Sequence, residues 1–519
     1  MIDSVVDAPL GWLDIRDSDS GVHQRDNMSQ VGKPTPRGAG FSTCPSIRSD
    51  LMTGFGRGLA LLAAVLAVST WSRDLKAIDE AQAVELAREY LASDDRADRE
   101  KLAAGLADYD GDIERVLKEL SARSFEPVEA GYLPEQHFTA PELLARRPDD
   151  LLYFTVPKSY RPDRPTGLVV FMHGGGNQSP RQSPQYFMNF PDDDDEESSQ
   201  LGDLFDSAGM IAVGPSAPWD EESWYRWCLP ESDEYLADVI RECKSRFNID
   251  ADRVILLGHS MGGFGAYHHI QRQPDRFAAV IVNAGSWSLG HWPAIRGTPL
   301  CIIQGVHDAV RGQRWHYTDI EYARRTDKLL SNEKLDYVYF EHDGEHGMSV
   351  GKPYIAKFLK SAKGLRRDPY FPHVALASPA GFKSWYNFPV EHNRWLTLNE
   401  AVEGKLEYDA LIDNDDDDFD SWRLEYRRLQ RDGSSIDAVN RRDNSIVVKT
   451  RNVARFTVWL HPRMVDINKP VTVIVNGRQR ITAKLKPSLA TALESYVRRG
   501  DWGLIYPMKI EIVTAPREE

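Results

Sequence analysis

Three residue types that together perform nucleophilic catalysis occur along the chain in the order Ser260, Asp308, His346. A neutral hydroxyl is a poor nucleophile and needs a base to take its proton. An imidazole base in turn needs a carboxylate that orients it and stabilises its cation. Ser260 stands in Gly258–His259–Ser260–Met261–Gly262, a G-x-S-x-G pattern whose glycines permit a strained turn that bulkier neighbours would block. Before it, Val254–Leu257 is apolar without a period, as in a buried parallel strand. After it, Met261–Ala266 is a run of mostly small residues that opens a helix, whose dipole and first N–H groups face the hydroxyl.

The elements that must position the other groups are similar apolar runs. Gly167–Met172 ends at His173–Gly174–Gly175–Gly176–Asn177, and glycines directly after a buried strand let backbone N–H groups approach an oxyanion. Gly174 and Gly175, with the N–H of Met261, are the candidates for that role. Pro299–Gln304 runs into Gly305–Val306–His307–Asp308, and Tyr337–Glu341 runs into a loop containing His342, Asp343 and His346. Of the two histidines, His342 lies nearer the strand end, while His346 is followed by Gly347 in a tight turn. Asp308 is favoured over Asp343 because it follows a strand of its own. The spacing His342-x-x-x-His346 could suit a metal, but Gly344 and Gly347 argue for a loop, so no metal is expected. His259 is a candidate for local packing or substrate contact. Trp224, Tyr225 and Trp227 lie on a loop at the carboxyl end of the strand Met210–Gly214, where open α/β sheets hold their ligands. A substrate wall and core packing are equally consistent with that cluster.

The pattern of Ser260, Asp308 and His346 on successive strand ends, with the glycine loop upstream, resembles the α/β-hydrolase superfamily. It is similar in particular to the esterase branch with polyhydroxybutyrate depolymerases, feruloyl and acetyl xylan esterases, and to the catalytic domain of prolyl oligopeptidase-like peptidases. The resemblance covers about residues 150 to 362. It implies a mostly parallel, doubly wound sheet, with Ser260 as nucleophile, Asp308 as acid, His346 as base, and an oxyanion hole from Met261 and Gly175. It further implies a serine esterase that acts on a small-molecule or polymeric carboxylic ester through an acyl-enzyme, with no cofactor. A serine peptidase could use the same groups, but the chain has no propeller-sized segment to gate peptides. A non-catalytic polymer-binding protein on a hydrolase scaffold is the rival from another class, and the complete set of groups argues against it.

The chain's 519 residues allow two or three domains. A net charge of -15 argues against nucleic acid and anionic membrane surfaces as partners. Four cysteines are too few for a disulfide framework. Cys301 reads as a buried thiol, while Cys228 and Cys243 could pair in an oxidising compartment. Residues 1–51 are polar and without period, which predicts disorder. In 52–72, Arg57 precedes the apolar run Leu59–Val68, the form of a secretory signal. That suggests a true start at Met52, export to the periplasm or beyond, and no membrane span once the signal is removed. Residues 73–149 read as a helical lead-in and 150–363 as the catalytic domain. Asp192–Glu197 reads as a solvated loop.

Residues 364–519 carry strand-like runs at Asn393–Leu398, Ser445–Lys449, Arg455–Leu460, Val471–Val475 and Lys509–Val513, with Asn476–Gly477 as a hairpin turn. They predict a small β-sandwich of immunoglobulin-like type, separable from the catalytic domain because every identified catalytic group precedes residue 362. Asp413–Asp418 lacks the glycine and closing glutamate of an EF-hand and reads as a solvated turn. Nothing in the sequence fixes the oligomeric state.

Overall fold

The computed structural model describes residues 78–175, 182–192, 198–217, 225–308, 316–416, 418 and 420–515. The segments 1–51 and 52–72 lie outside the described residues, as do Gly176, Asn177, Trp224 and residues 193–197 of the charge run. Residues 73–519 form one compact unit.

At the centre is an eight-stranded sheet of β1 (Gly131–Gln136), β2 (Leu152–Val156), β3 (Thr166–Met172), β4 (Met210–Pro215), β5 (Ile249–His259), β6 (Ala279–Asn283), β8 (Leu300–Gly305) and β9 (Tyr337–His342). Its order is β1-β2-β4-β3-β5-β6-β8-β9. From β4 to β9 all neighbours are parallel, while β1 and β2 add antiparallel pairs at one edge. Residues of β2, β4, β6 and β8 are buried throughout, because helices cover both faces. On one face α7 (Ser232–Arg246), α8 (Met261–Arg272) and α9 (Ile320–Asn332) enclose Leu168, Val170, Leu256, Val280 and Ile302. On the other, α6 (Gly202–Ala208) and α10 (Met348–Ser361) enclose Val169, Phe171, Leu257, Ile281 and Ile303. The chain leaves β3 for β4 on one side and returns to β5 on the other. The carboxyl ends of β3 and β5 therefore meet at the point where the strand order reverses, the place such sheets keep for ligands.

Strand β1 falls within the stretch read as a helical lead-in. Pro134 and the exposed Glu135 suit an edge strand and hide the period a half-buried strand would show. The helices α1 (Glu80–Ala92), α2 (Arg96–Leu106) and α3 (Ile113–Ser121) do form as expected. Asp79, Asp95 and Asp112 cap them, each carboxylate accepting from an N–H of the first turn. Their apolar faces close on Leu489 and Leu493 of α11 (Leu489–Arg499), a C-terminal helix that sequence reading missed. Short helices α4 (Pro141–Arg146) and α5 (Gln185–Met188) complete the set.

The C-terminal region holds β10 (His373–Ser378), β11 (His392–Asn393), β12 (Leu396–Ala401), β13 (Lys405–Asp413), β14 (Leu424–Asp432), β15 (Ser434–Asn440), β16 (Ser445–Arg451), β17 (Val453–Leu460), β18 (Val471–Val475), β19 (Gln479–Ala483) and β20 (Met508–Val513). Sheets β10-β15-β16-β18-β19 and β11-β12-β17-β20 share a core of Val374, Ile436, Val448 and Val473 with Leu396, Phe456, Val458 and Ile510. The expected sandwich is present, but β16 and β18 run parallel, which departs from an all-antiparallel immunoglobulin-like pattern. The run Asn393–Leu398 is not one strand. The chain turns at Arg394 (φ 46°), and β11 pairs with β12 across that turn.

A third sheet bears on the separability of this region. The long hairpin β13–β14 pairs with β7 (Leu289–Gly290), a strand of the catalytic segment. Phe382, Leu411, Trp422 and Leu424 enter the same hydrophobic core as α8. Packing therefore does not divide the chain at 363/364. Cys228, Cys243 and Cys301 are all free and buried, so the pairing left open for Cys228 and Cys243 is not made. Among the described residues no helix is long and apolar enough to cross a membrane.

Candidate active site

Ser260 lies between β5 and α8 with φ 55° and ψ -117°, a conformation rare for a residue with a side chain. Close packing of backbone on backbone enforces it. A Cβ on Gly258 would stand 2.0 Å from the carbonyl oxygen of Gly262, and one on Gly262 would stand 1.9 Å from that of Met172. The Ser260 N–H donates to the Asn283 carbonyl at 3.0 Å, tying the turn to the end of β6. The hydroxyl stands at the head of α8, whose first N–H groups have no partner within the helix.

The structure brings Ser260, Asp308 and His346 together. His346 Nε2 is 2.8 Å from Ser260 Oγ and its Nδ1 is 2.7 Å from Asp308 Oδ1. The Asp308 side chain is fully buried, while that of His346 is 42% exposed, so the line runs from the interior towards the surface. Two inter-loop bonds fix the pair: Val306 N–H donates to the His342 carbonyl at 2.8 Å, and His307 N–H to that of Gly344 at 3.1 Å. The second Asp308 oxygen accepts from Gln304 Nε2 at 2.7 Å, an amide that also donates to the Thr318 carbonyl at 2.6 Å. Sequence reading overlooked Gln304, although a polar side chain closing a buried apolar strand is a usable signal. Asp343 is elsewhere, 2.7 Å from His307 Nε2 in an exposed pair. His342 is buried against Tyr354.

His259 is buried with its ring centroid 5.2 Å from that of His346, and Asn283 Nδ2 lies 2.9 Å from its Nδ1. Burial and the neighbouring His346 push its pKa down to about 3, so it carries no charge at neutral pH. Gly174 borders Ser260: a Cβ there would stand 3.2 Å from that of Ser260. Gly175 follows, exposed. The strand end that presents them is held by His173, buried and kept neutral by that burial with a pKa of about 4. Its Nδ1 contacts the Gly174 carbonyl at 2.7 Å and its Nε2 accepts from Ala217 N–H at 3.4 Å.

The aromatic cluster divides. Trp227 is fully buried and donates from Nε1 to the His173 carbonyl at 3.0 Å, so it braces the glycine loop from behind and is no substrate wall. Tyr225 is half-buried and faces Phe264, one turn along α8 from Ser260, at 5.5 Å between centroids. Trp224 lies outside the described residues. Among the described residues no group of three or more side chains could hold a metal ion.

The Bifunctional acetylxylan esterase/xylanase of Neocallimastix patriciarum is 26% identical over 159 residues, 31% of this chain. The chain spans about a fifth of the length of that protein (21%). Among solved structures, a thermostable esterase is similar at 19% identity over 46% of this chain and 64% of its own, with a TM-score of 0.34. A ferulic acid esterase is similar at 15% identity over 46% of this chain and 99% of its own, with a TM-score of 0.33. An S-formylglutathione hydrolase from Agrobacterium tumefaciens is similar at 14% identity over 47% of this chain and 98% of its own, with a TM-score of 0.34. The profile of the alpha/beta hydrolase family matches residues 169–448, over half of the sequence and including all three groups of the hydrogen-bonded line. The chain belongs to the alpha/beta hydrolase family.

Proposed function

We propose that the chain is a serine hydrolase of carboxylic esters, with Ser260 as nucleophile, His346 as general base and acid, and Asp308 as the carboxylate that orients it. The observation that carries this reading is His346 bridging Asp308 at 2.7 Å and Ser260 at 2.8 Å, with the serine in a strained turn. Ser260 Oγ attacks the ester carbonyl as its proton passes to His346 Nε2. The Asp308 carboxylate accepts from Nδ1–H and stabilises the imidazolium. The carbonyl oxygen, now negative, is met by the N–H of Met261 and one from Gly174 or Gly175. Collapse expels the alcohol, which takes the proton from Nε2. Water then repeats the cycle on the acyl-enzyme, again through His346, and releases the acid. No cofactor enters these steps.

Identity to an acetylxylan esterase over a shared stretch favours an acylated polysaccharide as the physiological ester. Labelling by a fluorophosphonate probe, absent in Ser260→Ala, tests the activated serine. Acetylated sugars, aryl esters, hydroxyalkanoate polymer and aminoacyl amides, assayed side by side, test the bond cleaved. Faster turnover of the amides would replace the esterase reading with a peptidase.

A further inference from the structure

Beside the line of Ser260, Asp308 and His346, the C-terminal region sends one short loop, residues 380–388, against the nucleophile helix. Its neck is closed by paired bonds, Ala380 N–H to the Phe388 carbonyl at 2.9 Å and Phe388 N–H to that of Ala380 at 3.1 Å. Arg272, at the end of α8, is 7% exposed and clamps the same neck. Its guanidinium donates to the carbonyls of Ala380 at 2.8 Å, Phe388 at 2.7 Å and Pro389 at 3.2 Å. Inside the loop, Phe382 is fully buried and stacks on Phe264 at 5.8 Å, and its carbonyl accepts from the N–H groups of Ser288 and Leu289 at 2.8 and 2.9 Å. The turn is tight enough that a Cβ on Gly381 would stand 1.9 Å from the Tyr386 carbonyl oxygen.

A loop anchored this firmly holds its tip rigid, and the tip is Trp385, 62% exposed. A single exposed apolar side chain is ordinary on a protein surface, but loops fixed on a rigid scaffold carry binding residues, and Trp385 stands on a loop fixed against α8. From it a series of rings leads back to the nucleophile: Trp385 to Tyr386 at 6.2 Å, Tyr386 to Tyr225 at 5.6 Å, and Tyr225 to Phe264 at 5.5 Å. Lys383 supports the series from below, its Nζ 4.9 Å from the indole centroid and donating to Tyr225 Oη at 3.2 Å.

We propose that the loop 380–388 is a binding ledge on which Trp385 stacks against a sugar ring of a polymeric substrate. This rests on the ester-hydrolase reading above. Three ring-to-ring steps link Trp385 to the helix that Ser260 heads, and the group assigned to the indole is a sugar of the alcohol component. An indole face open to water suits the C–H face of a sugar, which keeps its hydroxyls solvated while it stacks.

The test compares KM for acetylated xylo-oligosaccharide with KM for 4-nitrophenyl acetate in the full-length wild type, Trp385→Ala and Trp385→Phe. Loss of one stacked anchor is expected to raise the ratio of the two KM values about 10-fold in Trp385→Ala. Trp385→Phe should recover most of it, and kcat on the oligosaccharide should change far less. An unchanged ratio overturns the ledge, as does a wild type that turns over the small ester but not the oligosaccharide. A 10-fold rise in KM for methyl ferulate in Trp385→Ala, with the oligosaccharide unaffected, overturns the sugar assignment. If the wild type turns over none of these esters, the ester-hydrolase reading itself has failed.

Discussion

Two loops in this molecule are held still by opposite means. The turn of Ser260 is fixed by backbone pressed on backbone, with Gly258 against Gly262 and Gly262 against Met172, leaving no room for a side chain. The loop of Trp385 is fixed by one buried guanidinium that gathers three carbonyls at its neck. The first device is local and leaves a mark in the sequence, because only glycine fits. The second joins residues more than a hundred positions apart, and Arg272 looks in the sequence like any charge at a helix end. The catalytic line and the proposed ledge therefore depend on different parts of the chain, and the two can be broken separately.

The largest effect is expected from removing everything after Gly364. If the C-terminal region were an appended module, the remaining hydrolase would still fold and turn over small esters. The structure argues otherwise, since removal strips Phe382, Leu411, Trp422 and Leu424 from the core of α8 and leaves buried Asp275 without the Arg394 N–H it accepts from at 2.8 Å. Losses of about 2–5 kcal/mol for each of these four core side chains together reach the whole stability of a domain, about 5–15 kcal/mol. The expected outcome is no cooperative unfolding transition by circular dichroism. A folded, active fragment would restore the two-domain reading.

Next in size is the catalytic line itself. Ser260→Ala should lower ester turnover roughly 10⁴-fold or more, and Asp308→Asn nearly as much, because the remaining amide cannot hold the imidazole in the required tautomer. Asp343→Asn should stay within about 2-fold, since its partner is the exposed His307. A larger loss in Asp343→Asn than in Asp308→Asn would move the acid to the other loop.

Arg272→Met bears on the ledge. It removes the clamp and also leaves Asp233 without the guanidinium that it pairs with. Asp233 is half-buried and keeps Gln273 Nε2 at 3.1 Å, so the loss is smaller than for a fully buried pair, about 2 kcal/mol, and is read as a lower midpoint of chemical denaturation. Faster hydrogen exchange at the Ser288 and Leu289 amides, which the Phe382 carbonyl holds, would locate the loosening in the loop. A variant with unchanged exchange there would show that the loop is held by Phe382 alone.

How much of this was legible in the sequence follows from the same contrast. Strands β3, β5, β6 and β8 were readable because a strand buried on both faces is a continuous apolar run, and β9, half-buried at the sheet edge, because it is a run of aromatic and β-branched residues. Groups at their carboxyl ends could be assigned from chain order. Trp227 was not assignable, because an aromatic on a loop gives no sign of which way it faces, and the structure turns it inward onto the His173 carbonyl. Asn393–Leu398 read as one strand because its composition is strand-like. What bends it is the Arg394 guanidinium, which reaches the carbonyls of Arg296 at 3.1 Å and Gly297 at 2.7 Å, and no local pattern encodes those contacts. Strand β14, Leu424–Asp432, was missed because it is mostly charged and exposed; what places it is pairing with β13. Tyr386 and Trp385 did carry a signal, an aromatic cluster between Gly381 and Pro389, but only the anchoring by Arg272 distinguishes a displayed aromatic from a packed one.

The smallest effect expected is also the one that separates a folding role from a binding role for the ledge. Lys383 is 4% exposed, with its ammonium 3.7 Å from the Tyr317 centroid and 4.7 Å from that of Tyr225. Burial lowers its pKa to about 8, opposed by Asp413, Cys228 and Asp415, which raise it. In the unfolded chain the amine keeps its ordinary value of about 10.4. Between those values the unfolded state binds the extra proton, so this residue's contribution to stability rises with pH through that window and is least favourable below pH 8. Lys383→Met keeps the volume of the chain, removes the charge and gives up the bond to Tyr225 Oη. It should therefore stabilise the protein at pH 7 by about 1 kcal/mol, the burial penalty outweighing one hydrogen bond, and the advantage should shrink as the pH rises towards 10. Urea denaturation of both proteins at pH 7 and pH 9.5 measures this directly. A variant less stable at pH 7, or a gap that widens with pH, would mean that the ring contacts of Lys383 hold the fold together and that Trp385 sits above a structural strut.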